Sequence, residues 1–152
     1  MSTVSVGSWV IEYDAGATAR APHAMRTGAP EECGCADCLR FSSFRGSAYP
    51  AASVELLRTL EARHDRETET YYLGETSPGH HRYGGWFHVI GRIVSGPDSK
   101  ATSALYLEPL EPPLAIGFAR ARDLAPQAFA GHELVQIEFE TEIVAHGSTA
   151  HE

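Results

Sequence analysis

The chain has 152 residues, of which 43% are hydrophobic and 21% charged. That balance suits one domain with its own core and excludes a chain that is disordered throughout or that needs disulfides to fold. The formal net charge of −8 gives an acidic surface that repels a phosphate backbone, so no nucleic-acid partner is expected.

Residues 1–10 lack the basic start and apolar run of a signal peptide, and no window of about 18 apolar residues occurs. The expectation is a cytoplasmic protein without membrane contact. Residues 8–13 read as the first strand, with Trp9, Ile11 and Tyr13 on one face. Residues 14–32 are rich in Ala, Gly and Pro without a period, which predicts a long surface loop leading into the cysteines. Residues 50–64 read as the one clear helix. Pro50 suits a first turn, and Val54, Leu56, Leu57 and Leu60 make an apolar stripe. Arg58, Arg63 and Arg66 come nearest to a basic patch, but they alternate with Glu55, Glu61, Asp65 and Glu67, the pattern of a mixed solvated face.

Residues 68–73 predict a short strand and 74–80 a turn. Residues 83–94 carry the strongest strand signal in mid-chain. Phe87, Val89 and Ile93 share one face, and Trp86, His88, Ile90 and Arg92 the other. Residues 104–107 and 114–119 read as strands separated by Glu111-Pro112-Pro113, a turn or an edge. In 133–144, Val135, Ile137, Phe139 and Ile143 alternate with Gln136, Glu138, Glu140 and Glu142, which predicts one buried face and one wet, acidic face. Residues 146–152 read as a flexible tail. The whole predicts an α+β fold over residues 1–145 as a single domain: an antiparallel β-sheet packed by one main helix, with a cysteine loop between the first strand and that helix.

The chemistry concentrates in Cys33-Gly34-Cys35-Ala36-Asp37-Cys38, which holds every cysteine of the chain. In a reducing cytosol, clustered thiols are more often metal ligands or redox groups than structural disulfides. Thiolates are soft ligands for zinc and iron, and Cys35-x-x-Cys38 has the spacing of half a zinc knuckle. Gly34 lets the backbone bend so that Cys33 reaches the same ion. A closed zinc site needs a fourth ligand, and His23, His80, His81, His88 and His132 are the options. The metal set read from the sequence is Cys33, Cys35, Cys38 and His88, with zinc as the ion.

Other residues carry weaker signals. His88 could act as a base, although a strand histidine is more often simply hydrogen-bonded. The row Glu138, Glu140, Glu142 could serve acid–base work or a hard cation, but a solvated strand face carries such charges routinely. Trp86 beside Gly84 and Gly85 reads as a pocket wall or as a bulge at the strand start. The single lysine, Lys100, lies in a polar loop with nothing evident to depress its pKa. No nucleophile elbow, phosphate-binding loop, dinucleotide fingerprint or His-Glu-x-x-His motif is present, so no catalytic residue is nominated.

Three functional readings follow. The first is a small module that binds a protein or small-molecule partner, its cysteine loop stapled by a structural metal. The second is a thiol-dependent redox or nucleophilic enzyme using Cys35 or Cys38. The third is a metal-free ligand-binding or adaptor domain. The chain also resembles an uncharacterised bacterial protein family. The likeness is carried by Cys-x-Cys-x-x-Cys-x-x-Phe (Cys33 to Phe41), a proline-led helix from Tyr49-Pro50, Tyr-Gly-Gly-Trp-Phe-His-x-x-Gly (Tyr83 to Gly91) and Gln-x-Glu-Phe (Gln136 to Phe139). Arg40 departs from the polar amide expected before the phenylalanine. The resemblance implies no activity.

Overall fold

The computed structural model describes residues 1–21, 28–120 and 129–145. His23 and the predicted tail at 146–152 lie outside the described residues. The fold is α+β, with a large antiparallel sheet and a few short helices. A hairpin of β1 (Ser2–Val6) and β2 (Trp9–Tyr13) comes first, followed by α1 (Ala15–Arg20), α2 (Ala29–Cys33), α3 (Ala36–Ser43) and α4 (Ala51–Thr59). The strands β3 (Glu69–Ser77), β4 (His80–Ser95), β5 (Glu108–Glu111), β6 (Leu114–Arg120) and β7 (Leu134–Val144) complete it. No helix among the described residues is long and apolar enough to cross a membrane.

The strand order is β1-β2-β4-β7-β6-β5, and β3 pairs with β4 outside that path. The 16-residue β4 organises the sheet. One of its edges runs along β7 from His80 to Ile90. Its other edge takes β3 between His80 and Trp86, then β2 between Gly91 and Ser95. The glycines in β4 permit this crowding. A Cβ at Gly84 would stand 2.5 Å from the Tyr71 ring, and one at Gly85 would stand 2.8 Å from Phe139 Cζ.

One face of the sheet carries the main core. Trp9, Ile11, Tyr83, Phe87, Val89, Phe118, Ile137, Phe139 and Ile143 pack there against Phe41 of α3, Leu56 and Leu57 of α4 and Leu60 just past its end. The helical cover is therefore shared: Phe41 lies 5.0 Å from the Tyr83 ring, and Tyr49 joins it to Phe139. A smaller cluster of Ala17, Ala21, Ile90 and Phe129 caps one end of the opposite face.

Several expectations change. A strand, β1, precedes the one expected to be first, because Val4 and Val6 pair with Ile11 and Trp9. The supposed loop at 14–32 contains α1 and α2; Asp14 caps α1 by accepting from Ala17 N–H at 2.9 Å. The helix expected over 50–64 stops at Thr59, since Glu61 adopts φ +60 and turns the chain. The turn at 74–80 shrinks to Pro78-Gly79, with strand on both sides. Residues 104–107 form no strand: Tyr106 N–H is spent on Ser99 O, and the hairpin partner of β6 is β5.

The wet, acidic face expected on β7 is buried at Gln136 (0% exposed) and Glu138 (1%). Residues around Ser99 to Leu107 lie over it, so closely that a Cβ on Gly117 would sit 2.6 Å from Tyr106 O. Beneath them runs a directed chain of hydrogen bonds. Thr68 Oγ1 meets His88 Nδ1 at 3.1 Å, His88 Nε2 meets Gln136 Oε1 at 3.2 Å, and Gln136 Nε2 donates to Glu138. Lys100 Nζ lies 3.5 Å from Glu138 and 5.0 Å over the Trp86 ring. The lone lysine is therefore ion-paired and stacked on an aromatic face rather than loose in a polar loop.

Candidate metal centre

The cysteines lie in a helix–turn–helix corner rather than a loop. Pro30 stands in the first turn of α2, where its missing N–H costs nothing. The helix ends at Gly34, whose φ of +71 is left-handed and whose N–H bonds to Pro30 O at 3.1 Å. Nothing lies within 4 Å of a Cβ built there, so the requirement for glycine is conformational. Cys35 then takes an extended conformation and caps α3, its Sγ accepting from Cys38 N–H at 3.4 Å.

This path places Cys33 at the last position of α2, Cys35 at the cap of α3 and Cys38 in its first turn. All three Sγ atoms lie within 4.8 Å of one another. Four ligands around zinc at about 2.3 Å would hold sulphurs about 3.8 Å apart, so the group needs only a small contraction to close on one ion. Cys33 and Cys35 are exposed and Cys38 half-buried. The Cys35 thiol is lowered, first by the Cys38 N–H and then by the Cys33 and Cys38 thiols. Cys38 is pushed up to about 12 by burial and by its two sulphur neighbours.

The corner is tied down on both sides. On α3, Phe41 enters the core, and Tyr83 O–H donates to Asp37 O at 2.6 Å. Arg40 donates to Asp37 Oδ1 and to Tyr83 Oη, each at 3.0 Å, with its guanidinium 5.2 Å over the Tyr72 ring. Arg40 thus holds the first turn of α3. On α2, Glu31 receives two bonds from Arg45 at 2.7 and 3.0 Å. Arg45 also forks onto Glu67 at 2.9 and 3.1 Å, and Tyr49 O–H donates to the same carboxylate at 2.6 Å.

Glu67, expected on a solvated face, is fully buried. Its partner Arg45 lies 22 residues away, and no local pattern announces a pair at that spacing. Arg45's bond holds the Glu31 carboxyl below the ordinary carboxylate range. Burial and the Glu67 charge push the Tyr49 hydroxyl well above its usual value.

The structure does not bring His88 to the sulphurs. Tyr83, which bonds to the corner, and His88 alternate onto opposite faces of β4. His88 is 3% exposed, and both ring nitrogens are engaged by Thr68 and Gln136. His80 faces Glu142 at 3.7 Å, and His81 meets Tyr72 Oη at 2.8 Å. Among the described residues, no histidine or carboxylate joins the cysteine group. Compared with family models, with curated proteins and with solved structures, the chain matches none.

Proposed function

We propose that this protein is a binding module whose α2–α3 corner holds one zinc ion on Cys33, Cys35 and Cys38. The observation that carries this reading is the convergence of the three sulphurs within 4.8 Å. The backbone bends at Gly34 and at the Cys35 cap bring them together. Soft thiolates favour zinc over hard cations. The metal would clamp two helices of 5 and 8 residues, which are too short to be stable alone. A reducing, cytoplasmic setting keeps such thiols available.

The test is elemental mass spectrometry of untagged protein purified under reducing, metal-replete conditions, with Cys35→Ser and Cys38→Ser beside it. About one zinc per chain in the parent, lost in both variants, supports the reading. A metal-free parent ends it.

A further inference from the structure

Building on that metal reading, we infer that Cys35 and Cys38 also form a dithiol switch, which a low-molecular-weight disulfide closes with expulsion of the ion. Cys35 caps α3 and Cys38 stands three residues later in the first turn. Residues three apart in a helix lie about 5 Å apart at Cα, inside the range a disulfide spans. The Cys38 N–H already holds Cys35 Sγ over that turn at 3.4 Å. Cys33 belongs to α2 and is separated from the pair by the left-handed bend at Gly34. A bridge from Cys33 to Cys35 would have to close across that bend.

Exposure sets the order of events. Cys33 and Cys35 are both exposed and Cys38 is half-buried; of the two exposed thiols Cys35 shares the first turn of α3 with Cys38, so Cys35 meets the oxidant and Cys38 completes the reaction. The Cys35 thiolate attacks one sulphur of the small disulfide RSSR, forming Cys35–S–S–R and releasing one RS⁻. The Cys38 thiolate then attacks the Cys35 sulphur, forming the Cys35–Cys38 bond and releasing the second RS⁻. Two electrons pass from the two protein thiolates to RSSR, and each RS⁻ takes a proton from water at neutral pH. The zinc ion loses two of its three cysteine ligands and leaves as Zn²⁺. The corner survives because Phe41, the Tyr83–Asp37 bond and the Glu31–Arg45–Glu67 tie do not involve sulphur. A reductant therefore restores an intact site.

The experiment treats the zinc-loaded full-length protein with glutathione disulfide. Released zinc is followed with a chromophoric chelator, free thiols are alkylated, and the disulfide is located by peptide mass spectrometry. The expected result is loss of zinc in step with a Cys35–Cys38 disulfide, Cys33 being recovered alkylated. Metal-free Cys33→Ser protein should form the same disulfide, and Cys35→Ser should slow mixed-disulfide formation at least tenfold. Zinc retained after exchange, a disulfide that includes Cys33, or three thiols still free overturns the switch. If the reduced protein takes up no zinc, the metal reading and the expulsion step both fall, and the disulfide map of that same sample still decides whether the pair closes.

Discussion

Arg45 stands between two carboxylates, and Glu67 has no access to water. Replacing Arg45 by Met removes the cation hydrogen-bonded to that buried carboxylate and leaves it the Tyr49 hydroxyl, and the expected loss is about 3–5 kcal/mol in urea unfolding. Arg45→Met with Glu67→Gln should lose less than Arg45→Met alone, because the stranded charge is gone. The same cluster sets two pH limits. Glu31's pKa is depressed in the fold, so its contribution is whole above its unfolded value of about 4.5 and fades as pH falls through the lower folded value. Glu31→Gln should flatten that acid limb of the stability curve. Tyr49 behaves in the opposite sense: its folded pKa lies above the unfolded value of about 10, so the unfolded chain releases the proton first. Stability should fall as pH rises above about 10, and Tyr49→Phe should remove part of that slope.

At the scale of elements, two glycines separate conformational from steric demand. Gly34 needs its left-handed φ but has open space around it. Gly34→Ala should cost the apo protein about 1–2 kcal/mol. It should also weaken zinc at least tenfold in chelator competition, since the bend aligns the sulphurs. Gly85 has no room: its new Cβ would press on the Phe139 ring. Gly85→Ala should cost about 1–3 kcal/mol by overpacking and leave zinc affinity unchanged.

The same elements show what a sequence read alone can reveal. The inward row of β7 is legible because Val135, Ile137, Phe139 and Ile143 are buried at period two. The cysteine group is legible because its spacing is local. Its helical frame is not, since helices of 5 and 8 residues span too few turns to display a period. Pro30 and Gly34 were the punctuation that could have exposed it. Gln136 and Glu138 mislead for another reason: what covers them comes from residues near 99–107, and alternation cannot report a cover supplied from elsewhere in the chain.

For the whole molecule, the second face of the sheet carries a buried charge of its own. Glu138 is 1% exposed and shares its charge with Lys100 across 3.5 Å. Lys100→Met should destabilise by about 2–3 kcal/mol in urea unfolding, and adding Glu138→Gln should recover part of that loss. Zinc content should not change in either variant, because His88, Gln136 and Glu138 lie across the sheet from the cysteine corner. If zinc is lost although Cys33, Cys35 and Cys38 are unchanged, the two faces are not independent.

The position of β7 has a consequence for synthesis. It pairs with β4 on one side and β6 on the other, yet it is the last of the described strands to be made. A nascent chain leaves the ribosome N-terminus first. β4 and β6 therefore emerge each with an open row of backbone donors and acceptors, and neither row is filled until residues 134–144 are free. The growing chain is most exposed to pairing with its neighbours on a crowded polysome in the interval before residues 134–144 emerge. A premature stop upstream of Leu134 would leave two half-sheets with a bare seam between them, a substrate for chaperones and proteases rather than a smaller version of the protein.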